Sequence, residues 1–120
     1  MLSIPAQAAI FLCTQPTDMR KGINGLSGIV RSEFDSDPID GSLYLFVNRR
    51  RDRMKILYFD GTGFWVFYKV LEQGTFETVV STDKCVKMDA TQLTMLLAGV
   101  SLVAVKRRKR FKREASTAAA

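Results

Sequence analysis

Three runs rich in aromatic and branched apolar residues follow one another between residues 43 and 70, and they constrain the fold most strongly. Two polar turns separate them, an arginine-rich turn at 48–53 and an Asp-Gly-Thr-Gly turn at 60–63. Strand-like runs joined by short turns of this composition are typical of β-hairpins. We therefore predict an antiparallel three-stranded meander, with strands at about 43–48, 54–60 and 64–70.

The second and third of these strands are apolar on both alternating faces, so each face of the sheet must be buried against another element. An amphipathic helix before the meander can bury one face, because apolar residues recur there at spacings of four, three, four and four. Thr17 is the expected N-cap of this helix, and Asp18 suits its positive N-terminal end. The apolar stripe consists of Met19, Ile23, Leu26, Val30 and Phe34.

Glycine recurs at every third position along the flank of that stripe, at Gly22, Gly25 and Gly28. Each glycine lowers the stability of a helix by roughly 1 kcal/mol relative to alanine. Close packing of the helix backbone on the sheet is the explanation that we favour. The alternative is close approach to a phosphate backbone, helped by Arg20 and Lys21 in the first turn.

Shorter elements are expected on either side of the meander. Asp89 can cap a second helix over Ala90–Ala98, and Gly99 suits the left-handed residue that ends it. This helix, a second copy of the chain or another protein would cover the second face of the sheet. Short flanking strands are predicted at 8–13, Thr75–Val80 and Cys85–Met88. The predicted fold class is α+β, a small antiparallel sheet packed on an N-terminal helix, with a short C-terminal helix.

The net charge of +6 lies entirely in a C-terminal segment. Residues 1–105 hold eleven basic and eleven acidic side chains, whereas 106–113 carries seven positive charges in eight residues. A block of like charges repels itself, so we expect a single domain at 1–105 and a disordered basic tail at 106–120. Such a tail binds any polyanion non-specifically and does not identify a partner.

The sequence contains few of the residue types and motifs that catalytic sites require. There is no histidine, which excludes histidine general bases, serine–histidine triads and histidine-ligated metals. The two cysteines form no CxxC pair, and most acidic residues occupy turns or caps, so we predict no catalytic residue, no metal site and no cofactor.

The longest apolar stretch, Leu93–Val105, is shorter than the roughly 20 residues that span a bilayer. We therefore predict a cytoplasmic protein that is not an enzyme.

The arginine loop, Asn48–Arg53, is the strongest functional signal. Four arginines at a hairpin bend have no core to cover, so they face water or a partner. A guanidinium is always charged and pairs with phosphate through two parallel hydrogen bonds. The composition of the loop therefore indicates nucleic acid as its ligand. The predicted DNA-binding residues are Arg49, Arg50, Arg51, Arg53, Lys55, Arg20 and Lys21.

Several segments together resemble a known family. The most distinctive are Pro16–Leu26 (PTDMRKGINGL) and the block from Gly41 through the arginine loop to Tyr58. Further similar segments are Asp60–Trp65, Tyr68–Phe76 and Gln92–Val100. These segments resemble the TnpB accessory proteins of the insertion-sequence family numbered sixty-six, which the second reading frame of the element encodes. The similarity covers residues 8–102 and leaves the basic tail outside.

The resemblance implies a bacterial mobile-element protein needed for transposition, with the catalytic chemistry carried by a separate, larger transposase. One hypothesis is an accessory factor that binds DNA, at the element ends, through the arginine loop. The alternative is an interaction subunit that scaffolds or regulates the transposase or contacts the element's other protein. Its predicted interface is Trp65, Phe67 and Tyr68, because aromatic residues are enriched at interface hot spots. Self-association into a homo-oligomer stays open.

Overall fold

The predicted meander forms one side of a five-stranded sheet. The computed structural model describes residues 8–77 and 81–99. Its elements, in chain order, are β1 (Ile10–Cys13), α1 (Ile23–Glu33), β2 (Leu43–Val47), β3 (Arg53–Phe59), β4 (Phe64–Val70), β5 (Cys85–Met88) and α2 (Ala90–Leu97). The strands lie side by side in the order β4-β3-β2-β1-β5, so β4 and β5 form the two edges of the sheet.

The sheet is mixed, because β1 runs parallel to β2 whereas every other neighbouring pair is antiparallel. A parallel pair cannot be joined by a tight hairpin, and α1 supplies the crossover between these two strands. The α+β fold class, the meander and the flanking strands β1 and β5 are confirmed, whereas the predicted antiparallel sheet is a mixed one because of the parallel β1–β2 pair. Residues 75–77 are not in a strand. The remainder of the strand predicted at Thr75–Val80 lies outside the described residues.

Each face of the sheet is covered by one helix. Leu26 and Val30 of α1 pack with Leu57 in a core on the first face, and all three side chains are fully buried. On the opposite face, Leu96 of α2 packs with Leu45 in a second core. The central strands therefore bury both of their faces, as their uninterrupted apolar sequence predicts.

Helix α1 begins at Ile23, so the predicted N-cap at Thr17 is wrong. Thr17 is buried, and its backbone N–H donates to the carbonyl oxygen of Val47 at 2.9 Å. The Asp18 carboxylate accepts the backbone N–H of Arg20 at 2.9 Å, which forms a local turn instead of a helix start. Gly22 occupies the N-cap position, without a side-chain cap. The segment before α1 is therefore tied to the end of β2.

The glycines at positions 22, 25 and 28 do not pack against the sheet, so the explanation that we favoured, close packing of the helix backbone on the sheet, is wrong. A Cβ atom added at Gly22 or Gly28 would meet no atom within 4 Å. At Gly25 it would meet the Cβ atom of Lys21 at 3.0 Å, a contact with a neighbouring turn of the chain. The glycine flank faces outward, and its close approach to a phosphate backbone stays a prediction.

We expect Gly28→Ala to stabilise the protein by about 1 kcal/mol, because the added methyl group has open space and alanine favours the helix interior. Chemical denaturation measures this change directly. Gly25→Ala is the matched control, since its methyl group must displace the Lys21 side chain and gains less. A Gly28→Ala protein that is less stable than the wild type would contradict the open space around Gly28.

The C-terminal helix follows its sequence signals closely. The Asp89 carboxylate accepts the backbone N–H of Gln92 at 2.7 Å, and the Gln92 side chain accepts the N–H of Asp89 at 2.9 Å. This reciprocal capping box confirms the predicted cap. Gly99 adopts a φ of 76°, the left-handed conformation expected after the helix.

The predicted basic tail and the predicted domain boundary at 105 lie outside the described ranges. Within those ranges, no helix is long and apolar enough to cross a membrane.

Asp60 organises the β3–β4 turn, which confirms its predicted role as a turn residue. Its Oδ1 atom accepts hydrogen bonds from the backbone N–H groups of Thr62 at 2.9 Å and Gly63 at 3.0 Å. Its Oδ2 atom accepts the indole N–H of Trp65 at 2.8 Å. These donors favour the charged carboxylate and lower the pKa of Asp60, with the Thr62 N–H contributing most.

The hydrogen bonds of Asp60 predict an acid-dependent contribution to stability. Because the folded pKa lies below the ordinary value of 3.8, the contribution is complete above that value and is lost as the pH falls further. We expect Asp60→Asn to be less stable than the wild type at neutral pH. The difference in melting temperature should shrink as the pH falls below 3.8. A difference that does not change with pH would contradict this role of the charged form.

Candidate nucleic-acid interface

The Asn48 side chain holds the arginine loop in one conformation. Its Oδ1 atom accepts the backbone N–H groups of Asp52 at 3.0 Å and Arg53 at 3.1 Å. Its Nδ2 atom donates to the Asp52 carboxylate at 2.8 Å. This role of Asn48 in holding the loop was not predicted. The available signal was an asparagine at the first position of a turn, where its side chain can satisfy backbone groups further along.

The backbone of the loop is also braced by the chain that follows β4. Arg51 has a φ of 59°, and its N–H donates to the Asn48 carbonyl at 3.0 Å. The Arg51 carbonyl accepts the N–H of Phe76 at 2.6 Å, and Phe76 itself is fully buried. The N–H of Leu71 donates to the carbonyl of Asp52 at 2.8 Å. The loop is therefore anchored at its tip and does not depend on a ligand for its shape.

Three guanidinium groups of the loop are exposed to solvent. Arg49, Arg50 and Arg51 are exposed, and none of them forms an ion pair or side-chain hydrogen bond with another described residue. Asp52 is the one acidic residue of the loop. Its pKa is lowered chiefly by the hydrogen bond from Asn48, with Arg53 and Arg50 adding to the effect. The loop therefore presents a fixed excess of positive charge to solvent.

Two of the other predicted DNA-binding residues, Arg53 and Lys55, have side-chain partners within the protein. Arg53 Nη1 donates to the Tyr68 hydroxyl at 3.1 Å. Lys55 Nζ donates to the Lys21 carbonyl at 2.9 Å and lies 5.1 Å from the centre of the Tyr68 ring. These contacts hold both side chains in place and leave their charges uncompensated. Lys21 is exposed.

Arg20 differs from these residues because its charge is neutralised. Its Nη2 atom lies 2.7 Å from Asp18 Oδ2, and its Nε atom lies 3.1 Å from both carboxylate oxygens. The pKa of Asp18 falls to about 2 as a result, so the pair is charged on both sides at neutral pH. Arg20 therefore adds less uncompensated positive charge to this surface than the loop arginines do.

The structure brings the arginine loop close to the turn that precedes α1. A shallow open groove runs between the arginine loop and the turn at 17–19. The loop side of this groove carries Arg49, Arg50 and Arg53, and the opposite side carries Asp18. Two segments that are distant in sequence therefore form one surface.

Comparison with known proteins assigns the family. The model of the IS66 Orf2-like proteins, TnpB_IS66, matches residues 8–107, which include the groove and both of its walls. The chain belongs to the IS66 Orf2-like family. It is 37% identical over 99 residues to the uncharacterized protein y4jC of Sinorhizobium fredii (strain NBRC 101917 / NGR234), covering 82% of this chain and 85% of the relative. It is 30% identical over 100 residues to y4hO of the same strain, covering 83% and 87%. No solved structure matches.

Membership of this family links the Orf2-like protein to insertion sequences and their transposition. The resemblance of the PTDMRKGINGL segment and the arginine block is confirmed by the family match. Within the described ranges, no three His, Cys, Asp or Glu residues lie close enough to hold a metal ion together.

The predicted partner interface of the Orf2-like protein is divided between two faces. Trp65 and Phe67 lie on the face that α2 covers, with ring centres 6.1 Å apart in a stacked arrangement. Tyr68 lies on the opposite face, because successive side chains of a strand alternate, and there it contacts Arg53 and Lys55. The structure therefore joins Tyr68 to the basic surface and does not form a single patch from the three aromatic residues.

Proposed function

We propose that this Orf2-like protein is a non-catalytic accessory factor of transposition that binds the DNA of its insertion sequence through the arginine loop. The observation that carries the proposal is the set of three exposed guanidiniums, none in an ion pair with a described residue, on a loop whose backbone is already fixed by Asn48 and Phe76. A preorganised loop loses little conformational entropy on binding, so the favourable contacts with phosphate are largely retained as affinity.

The surroundings of the loop support an elongated polyanion as the ligand. Arg53, Lys55 and Lys21 extend the positive surface from the loop towards the start of α1. Phosphate contacts position a protein on DNA but carry no sequence information. Any preference for the element ends must come from other groups, and the groove beside Asp18 and Met19 is the nearest candidate surface.

The experiment that tests the proposal separates the loop from the basic tail. The full chain is compared with a variant in which the seven basic residues of 106–113 are replaced by serine, using fluorescence anisotropy with duplex DNA of the element ends. If the loop is a binding site, the tail variant still binds DNA, with a smaller salt dependence than the wild type. Loss of all measurable binding in the tail variant would contradict the proposal, because it would assign the interaction to the tail.

A second candidate function rests on the exposure of Trp65, which is 41% exposed although tryptophan is highly buried on average. In this alternative the protein scaffolds or regulates the transposase, or contacts the other element-encoded protein. Capture of each of these two proteins by the wild-type chain, and weaker capture by Trp65→Ala, would support it. Failure of the wild type to capture either protein would count against it.

A further inference from the structure

Strand β4 is an edge strand with an unusual share of exposed apolar surface. Five large apolar side chains are exposed in the described part of the chain, and three of them lie on this strand. They are Trp65, Tyr68 and Val70, with exposed fractions of 41%, 48% and 43%. An edge strand that is apolar and seven residues long is a template for pairing with another strand.

The direction of the free backbone groups follows from the hydrogen bonds at both ends of the β3–β4 hairpin. The N–H of Asp60 donates to the carbonyl of Gly63 at 3.0 Å, and the N–H of Leu71 donates to the carbonyl of Asp52 at 2.8 Å. Hydrogen-bonded and non-hydrogen-bonded pairs alternate along an antiparallel ladder, so residues 65, 67 and 69 point their backbone groups towards β3. The outward-facing backbone groups belong to Phe64, Val66, Tyr68 and Val70.

We infer that β4 pairs antiparallel with β4 of a second copy of this chain, about a two-fold axis at Phe67. This register places Phe64 opposite Val70 of the second copy, and Val66 opposite its Tyr68. Both pairs use outward-facing backbone groups, so the whole strand is hydrogen-bonded across the junction. The two sheets would join into one continuous ten-stranded sheet.

The side chains of β4 are complementary to themselves in this register. Lys69 is the one charged residue of the strand, and it faces Trp65 of the second copy, where a cation–π contact can form. Val66 faces Tyr68, a favourable pairing of a branched and an aromatic side chain. A register centred on Lys69 would instead place two lysines opposite each other. The cation–π and apolar pairs across the junction therefore favour the second copy as the occupant, in the register centred on Phe67.

Sedimentation velocity of the full chain over low to high micromolar concentrations gives the first test. A junction made by one strand from each copy is small, so we expect a weak, concentration-dependent dimer. Trp65→Lys is expected to shift the protein to monomer, because the introduced lysine faces Lys69 of the second copy at two equivalent places. Adding Lys69→Glu to this variant is expected to restore the dimer through two ion pairs.

The rescue depends on the second copy, because residues 65 and 69 of one strand lie about 13 Å apart and cannot pair with each other. Thermal unfolding checks that each variant is folded. A wild-type chain that stays monomeric, a dimer that survives Trp65→Lys, or a double variant that stays monomeric overturns the inference.

A disulfide provides a second measurement that is independent of charge. In a Cys13→Ser, Cys85→Ser background, Phe67→Cys is expected to form a cross-linked dimer on mild oxidation. Directly opposed residues of a non-hydrogen-bonded pair have Cα atoms about 4.5 Å apart, within the range for a disulfide. The control Val70→Cys places the two thiols about 20 Å apart and should not cross-link. Equal cross-linking of both variants, or cross-linking of the control alone, overturns the register.

Discussion

Replacing Arg49, Arg50 and Arg51 together with alanine is expected to lower the affinity for duplex DNA on the order of 100-fold at about 0.1 M salt. Each phosphate contact releases condensed counterions, and its loss reduces the slope of log affinity against log salt by about 0.9. The three residues are exposed and make no ion pair with a described residue, so their removal leaves no buried charge behind. The slope should therefore fall by roughly 3 units, while the melting temperature stays close to that of the wild type.

The control removes the same net charge from a different part of the molecule, where one of its three residues, Lys84, pairs with Glu33 at 3.1 Å. Arg31, Lys84 and Lys87 are exposed and lie on α1 and at or near β5, the opposite edge of the sheet from β4. Their triple alanine variant has the same net charge as the loop variant. We expect it to lose only the small, non-local part of the attraction. Equal losses of affinity and salt slope in both variants would show that net charge, and not the arginine loop, determines binding.

The fold was predictable where apolar periodicity decides the structure. The runs around residues 43–70 are apolar on both alternating faces, and only a doubly covered sheet satisfies them. The start of α1 was not predictable from the same information. Thr17 and Asp18 have the composition of a helix cap, but the N–H of Thr17 bonds to Val47, a residue thirty positions further along the chain. A long-range hydrogen bond of this kind leaves no trace in local composition.

The candidate site shows the same division between local and long-range information. Charge pattern alone identifies the arginine loop, because four basic residues at a hairpin bend have no core to cover. It does not show that Asp18 neutralises Arg20, or that Lys55 reaches the carbonyl of Lys21. Tyr68 was assigned to a partner interface from its type, whereas alternation along β4 places it beside Arg53. Two side chains on neighbouring strands contact each other only if they lie on the same face of the sheet at the same level. The register of the strands determines this.

Tyr44→Ala is expected to destabilise the protein by about 3–5 kcal/mol, the usual cost of removing a buried aromatic side chain. Tyr44 is fully buried at the centre of the core beneath α1. Its ring stacks on Phe11 with ring centres 5.7 Å apart and meets Phe34 edge-on at 5.2 Å. Since small domains are stable by only about 5–15 kcal/mol, urea denaturation should show a large loss. A loss below about 1 kcal/mol would contradict this central position.

Tyr44→Phe is the control that separates the ring from its hydroxyl. The hydroxyl donates to Asp40 Oδ2 at 2.7 Å, and its removal is expected to cost about 1 kcal/mol while the aromatic contacts remain. Burial, with the Asp40 carboxylate adding to it, raises the pKa of Tyr44 from 10.0 to about 12. Because the folded pKa is the higher one, the hydroxyl contributes fully below pH 10, and its contribution is lost as the pH rises towards 12. The stability difference between the wild type and Tyr44→Phe should therefore narrow in strongly alkaline solution, and a difference that widens there would contradict the buried, protonated hydroxyl.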